Sequence, residues 1–205
     1  SLVVDRMEND FCFLSDLQDR FHSVLIDEYQ DVNPVQQKFV DLMGMSCNLW
    51  IIGDDDQAIY EFRASAPSSL SDFEKTWSNC FVVRTGRNYR SYDPIVSQSL
   101  RLIAYNRNRF QKRIVASSQG GSSLARCYVD LESEVSSVLS AVGRLIKGGC
   151  DPFDICVLSR TNKVLEAFTK DLPEGVCSST FHGSKGREWR YVFIVGMSQG
   201  HSPNS

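Results

Sequence analysis

Three observations predict an α/β protein with parallel sheets: short apolar runs that break off in acidic or glycine-rich clusters, amphipathic stretches between them, and the alternation of the two along the chain. In order, Val24-Leu25-Ile26 ends at Asp27, Leu49-Trp50-Ile51-Ile52 at Gly53, and Phe81-Val82-Val83 at Arg84. Cys127-Tyr128-Val129, Ile155-Cys156-Val157-Leu158 and Tyr191 to Val195 follow. Unbroken apolar runs of this kind are expected of strands buried on both faces. Between them, Val35, Phe39, Val40 and Met43 give the stretch from Pro34 to Met43 a helical period. Asp93-Pro94, read as a cap before a first-turn proline, predicts a helix to about Ala104. Glu132 to Lys147 is periodic at Val135, Val138, Leu139, Val142, Leu145 and Ile146, and stops at Gly148-Gly149. In such sheets ligands collect beyond the carboxyl ends of the strands, which is where the polar clusters fall. Gln119 to Ser123 reads as a flexible loop.

Composition narrows the classes of function. The chain has 205 residues, 42% hydrophobic and 23% charged, as a globular protein does. No apolar run approaches the roughly 20 residues of a membrane span, and the opening SLVVDRMENDF is charged too early for a signal peptide. The formal net charge of −3 gives no global basic field for nucleic acid, so any such binding needs a local groove and stacking. Seven cysteines without a CxxC pair predict free thiols in a reducing, cytoplasmic compartment rather than a disulfide framework or zinc site.

Two clusters carry chemistry. Asp27-Glu28-Tyr29-Gln30-Asp31 follows an apolar strand directly. A strand ending in Asp-Glu suits nucleotide hydrolysis: the Asp holds Mg²⁺, usually through water, and the Glu polarises the attacking water. The same pattern also occurs as a solvated acidic strand end. The second cluster runs from Gly53-Asp54-Asp55-Asp56-Gln57 through Ala58-Ile59-Tyr60-Glu61-Phe62-Arg63. Three adjacent carboxylates repel one another unless a cation or water network is near. They do not form the EF-hand pattern, which needs ligands at alternate positions and a closing Glu. A basic stretch, Arg101, Arg107, Arg109, Lys112 and Arg113, reads either as a DNA-backbone contact or as a solvated helix end.

Taken together, VLIDEYQDVNPVQQ and IIGDDDQAIYEFRASAP resemble motifs II and III of UvrD/Rep-type superfamily 1 DNA helicases. Asn88-Tyr89-Arg90-Ser91 resembles motif IV, and Thr180 to Glu188, TFHGSKGRE, resembles motif V. The four stand in the family's order over residues 24 to 196. The resemblance implies RecA-like P-loop NTPase motor domains: the C-terminal part of a first in residues 1–86 and most of a second in 87–205. It implies ATP and Mg²⁺ as cofactors, and single-stranded DNA and single-/double-strand junctions as partners, with ATP hydrolysis driving translocation and unwinding, 3′ to 5′. Asp27 would hold Mg²⁺, Glu28 would be the catalytic base, Gln57 would sense the γ-phosphate, and Arg90 would be an arginine finger. Tyr89 would lie against adenine and Glu188 would accept from the ribose, with Gly186 beside them in the ATP site. Tyr60, Phe62 and Arg63 would meet single-stranded bases and backbone, where stacking is worth ~1–3 kcal/mol per base. His182, Ser184 and Lys185 would lie along the DNA groove or the interdomain cleft. Core packing is the other reading for Tyr60, Phe62 and Tyr89, and a surface ion pair for Arg90.

The sequence departs from the family in places. Phe62 stands where Trp is common, and Glu61 puts a negative charge near the supposed DNA path. Nothing matches G-x-x-x-x-G-K-[ST], the loop that grips the phosphates. That loop and motif VI are expected outside the two ends, and the chain alone is expected to be inactive. Only residues 161–179 separate Arg160 from motif V, where larger members insert a helical subdomain. A non-enzymatic helicase-like binding module, or another strand-end NTPase, are the rival readings. DNA repair is one of several settings open to it.

Overall fold

A computed structural model describes residues 1–58, 70–77, 79–106 and 109–198, with the side chains of 71 and 72 left aside. It is a mixed α/β structure with small parallel sheets, in two compact units, Ser1–Ser123 and Leu124–Ser205. The boundary anticipated after residue 86 lies within the first unit. Among the described residues no helix is long and apolar enough to cross a membrane.

The first unit opens with α1 (Leu2–Asn9) and α2 (Phe11–Arg20), leading to strand β1 (Ser23–Ile26). Helix α3 (Pro34–Gly44) then returns the chain to β2 (Asn48–Ile51), which pairs parallel with β1 and puts Ile26 opposite Ile51. Asn33 starts α3 with a capping box: its Oδ1 accepts from the amides of Val35 and Gln36, while the Gln36 side chain accepts from the Asn33 amide. One sheet face packs into two cores, Met7, Met43 and Cys47 with Val24, and Tyr29, Val40 and Phe73 with Ile26, Leu49 and Ile51. Phe73 comes from α4 (Leu70–Thr76) and meets Tyr29 edge-on at 5.5 Å between ring centres. A second small sheet joins β3 (Arg87–Asn88) to β4 (Val115–Ala116), with α5 (Asp93–Ile103) between them.

The second unit is built on α6 (Leu131–Lys147), β5 (Ile155–Ser159), α7 (Asn162–Thr169), β6 (Cys177–Thr180) and β7 (Tyr191–Ile194). The sheet order is β6-β5-β7, all parallel, so β5 is paired on both edges. Every residue of β5 is buried. Val138 and Val142 of α6 pack with Val164, Leu165 and Phe168 of α7 and with Ile155 and Val157 beneath them.

Some expectations need correction. Residues 81–83 and 127–129 form no strand: Phe81, Val83 and Val129 are exposed, and no described strand pairs with them. Apolarity proposes a strand, but pairing makes one. The reverse holds for β6, Cys-Ser-Ser-Thr, which lacks an apolar run and exists because β5 pairs with it. Asp93 is the first residue of α5 rather than its cap, which is Tyr92. Strands β1 and β2 are not buried on both faces; alternate residues are exposed.

Candidate active site

Parallel pairing of β1 and β2 brings both acidic clusters to the carboxyl end of the sheet. The Tyr29 amide donates to the Ile52 carbonyl at 2.9 Å, so the backbone stays paired just past the strand ends. Asp27 and Glu28 follow β1 immediately, and both side chains are exposed. Glu28 has φ 51 and ψ 41, in the left-handed region. For a residue with a long side chain that conformation costs about 1 kcal/mol or more and persists only where neighbours enforce it. The Asp27 carboxylate is one such neighbour, accepting from the Glu28 amide at 2.8 Å. Buried Tyr29 is another anchor, its hydroxyl donating to Gln37 Oε1 at 2.6 Å.

Gln30 ties the two clusters together. It is only 6% exposed, its Nε2 donates to the Glu28 carboxylate, and its Oε1 accepts from the Asp54 amide at 2.9 Å. Gly53 makes this approach possible, since a Cβ there would come within 2.9 Å of Gln30 Oε1. Asp54 then organises the single 3₁₀ turn that follows, accepting from the Asp56 amide at 3.1 Å and from Gln57 Nε2 at 2.9 Å. A continuous hydrogen-bond path therefore runs from Glu28 through Gln30 and Asp54 to Gln57. Gln30 carries no motif role in the sequence; it is a polar side chain in the turn between β1 and α3, and once buried there it must find partners.

The carboxylates of Asp54, Asp55 and Asp56 have oxygens within 4.8 Å of one another. Their repulsion is met by cations from the chain itself. Arg109 Nε donates to Asp56 at 2.7 Å, and Lys112 donates to all three, with 3.0 Å to Asp56. The Phe110 amide adds a bond to Asp55 at 2.6 Å. Burial pushes the Asp54 and Asp56 carboxyls up, yet their bonds to Lys112, and to Gln57 and Arg109 respectively, outweigh it and hold both below the usual range. Arg109 and Lys112 are thus largely buried against the acidic turn rather than forming a solvated helix end. Exposed Arg101 and Arg113 keep both readings, and Arg107 lies outside the described residues.

Asn88 to Ser91, the stretch that resembles motif IV, spans the last residue of β3 and the turn after it. Asn88 Oδ1 accepts from the amides of Arg90 at 3.0 Å and Ser91 at 2.8 Å, a side-chain turn that sets Arg90 at the surface. Tyr89 is 76% exposed, so core packing does not account for it. Asp54, Asp56, Asn88 and Ser91 line one open hollow against the apolar side of α5, and Asp27, Glu28 and Asp31 line another. In the second, Asp27 and Glu28 offer exposed carboxylate oxygens, the donor type a hard divalent cation such as Mg²⁺ takes.

In the second unit, residues 181–186 form successive turns after β6. The Phe181 amide still pairs with Ser159 O at 3.0 Å, so the turns leave directly from the sheet edge. The Ser184 hydroxyl donates to Phe181 O at 2.9 Å, and Gly186 has φ 78, a conformation that favours glycine. His182, Ser184 and Lys185 are half-buried along this turn, and Glu188 beyond it is exposed. Tyr60, Phe62 and Arg63 lie outside the described residues.

Residues 2–78 match the family model of the UvrD/REP helicase N-terminal domain. YjcD of Bacillus subtilis strain 168, provisionally named an ATP-dependent DNA helicase, is 40% identical over 151 residues, which is 73% of this chain and 20% of that protein. The ATP-dependent DNA helicase UvrD2 of Mycobacterium tuberculosis strain H37Rv is 32% identical over 185 residues, 88% of this chain and 26% of that protein. UvrD1 of Mycobacterium bovis, also named an ATP-dependent DNA helicase, is 33% identical over 153 residues, 70% of this chain and 20% of that protein. The chain spans about a fifth to a quarter of the length of these relatives.

Proposed function

Because this chain belongs to the UvrD/Rep-type helicase family, we propose that it is the part of an ATP-driven DNA helicase that carries the hydrolysis residues of two RecA-like motor domains, residues 1–86 and 87–205. The observation that carries this reading is the tie from Glu28 through Gln30 to the Asp54–Gln57 turn, which joins a strand-end acid pair to a candidate phosphate sensor.

Glu28 takes the proton of the attacking water, and Asp27 would hold Mg²⁺. When bound, Mg²⁺ draws charge from the phosphoryl oxygens. Gln57 meets the γ-phosphate, and its bond to Asp54 sets where the amide group points. Arg90 supplies positive charge to the transferring phosphoryl, Tyr89 lies against adenine, and Glu188, with Gly186 beside it, receives the ribose. Tyr60, Phe62 and Arg63, with His182, Ser184 and Lys185, line the single-stranded DNA path. Closure on ATP and reopening on its products step the motor 3′ to 5′ and open junctions, in the cytoplasm. The 205-residue chain alone does not turn over ATP, since no stretch of it has the phosphate-loop pattern.

The test is hydrolysis and unwinding by the full product of the gene. Single-stranded DNA is expected to raise ATP turnover about tenfold or more, as steered coupling between two sites does. A duplex with a 3′ tail is expected to be opened in preference to one with a 5′ tail. ATP turnover indifferent to DNA contradicts the motor reading.

A further inference from the structure

We propose that Arg109 and Lys112 are positioning residues, which clamp Asp54, Asp55 and Asp56 and so fix the turn that presents Gln57. The proposal rests on the reading of Gln57 as the γ-phosphate contact.

The clamp joins segments 53 to 58 residues apart. Its side chains are largely withdrawn from water, with Arg109 10%, Asp56 13%, Lys112 14%, Asp55 19% and Asp54 33% exposed. Three carboxylates and two cations leave one net negative charge where three adjacent acids would otherwise repel. Burial lowers the Lys112 ammonium, but its bonds to the three carboxylates outweigh that and raise it, which keeps it charged at neutral pH. Arg109 is raised by its bond to Asp56. Each partner thus stabilises the charged form of the other.

Location distinguishes this cluster from an ordinary ion pair. Asp54 is shared: its amide is bound by Gln30, which holds Glu28, and its carboxylate binds both Gln57 and Lys112. Releasing Lys112 removes a partner from the carboxylate that orients Gln57. Neither cation needs to touch nucleotide for this, so the expected signature is a loss in kcat rather than in ATP affinity. The bases of the clamp follow α5, so the same contacts also tie the turn to the segment after motif IV.

The experiment compares wild type, Lys112→Met and Lys112→Arg in the full product of the gene, with DNA-stimulated ATP turnover as readout. Lys112→Met is expected to lower kcat about tenfold or more with KM for ATP within about twofold, because misplacing one group costs turnover rather than binding. Lys112→Arg, which keeps the charge, is expected to restore at least about half of kcat. Lys112→Met with kcat within about twofold of wild type overturns the proposal, as do equal losses in the Met and Arg variants. If Lys112→Met does not fold, Arg109→Gln replaces it under the same thresholds. If wild type does not hydrolyse ATP, the functional reading fails by itself. The clamp is then read from amide exchange at residues 54–57 of the full product of the gene. Exchange about tenfold faster in Lys112→Met upholds it, and unchanged exchange overturns it.

Discussion

The two parallel sheets follow one design and differ in how they are covered. In the second unit β5 has a partner on each edge, and Ile155, Cys156 and Val157 are fully buried. In the first unit β1 and β2 have only each other among the described strands, and Leu25 and Trp50, opposite one another in register, are 71% and 64% exposed. Parallel sheets are ordinarily buried on both faces. The second unit therefore holds its own core, while the first owes its order to one covered face and to the side-chain ties at its strand ends. The strand-end candidates Asp27, Glu28 and Gln57 sit in the less covered region, where polar ties add to the apolar packing of one face.

The largest effect expected from this difference is in paired truncations. Phe168→Ala, at a fully buried site, should cost about 3–5 kcal/mol, and Trp50→Ala about 1 kcal/mol or less. Urea unfolding with amide exchange read separately in the two units checks this. Equal costs would mean that the outer face of β1 and β2 is covered in solution.

Smaller and more even are the helix caps. Asn33 caps α3 and Asp130 caps α6, its carboxylate accepting from the Ser133 amide at 2.8 Å. Asn33→Ala and Asp130→Ala should each cost about 1 kcal/mol, as loss of an N-cap does. In the same urea experiment, a much greater loss from Asn33→Ala would show that the first unit leans on local bonds even more than the sheet comparison implies.

The smallest effects appear only toward the extremes of pH, and they have opposite signs in the two units. Asp54 and Asp56 lie below their ordinary value of 3.8 in the fold, so their contribution is present above about pH 4 and is lost as pH falls. Burial pushes the Cys156 thiol from 9.0 up to about 12, so its contribution is present below pH 9 and is lost as pH rises toward 12. Amide exchange against pH should loosen the first unit in acid and the second in alkali. Loosening in the reverse order would refute both assignments.

The sequence displayed the two sheets as alike. Val24-Leu25-Ile26 and Ile155-Cys156-Val157-Leu158 are the same kind of run, and nothing local marks one as open to water. Burial depends on neighbours distant in the chain. For the same reason residues 81–83 mimicked a strand and Cys177–Thr180 did not. Helices α3, α5 and α6 were legible to within a residue or two because their periods and stops are local. At the site, the acidic clusters of Asp27-Glu28 and Asp54-Asp55-Asp56 were visible as types in a pattern. The left-handed Glu28, the Gln30 bridge and the Arg109–Lys112 clamp were not, since each is a matter of geometry or of a partner tens of residues away.

The most direct measurement is ATP turnover on single-stranded DNA by the full gene product, wild type against Glu28→Gln. The substitution keeps the shape of the side chain and its hydrogen bonding to Gln30 while removing the base. Turnover should fall by about 100-fold or more with ATP still bound, as loss of a general base does. Turnover by Glu28→Gln equal to wild type would contradict the placement of hydrolysis at the end of β1.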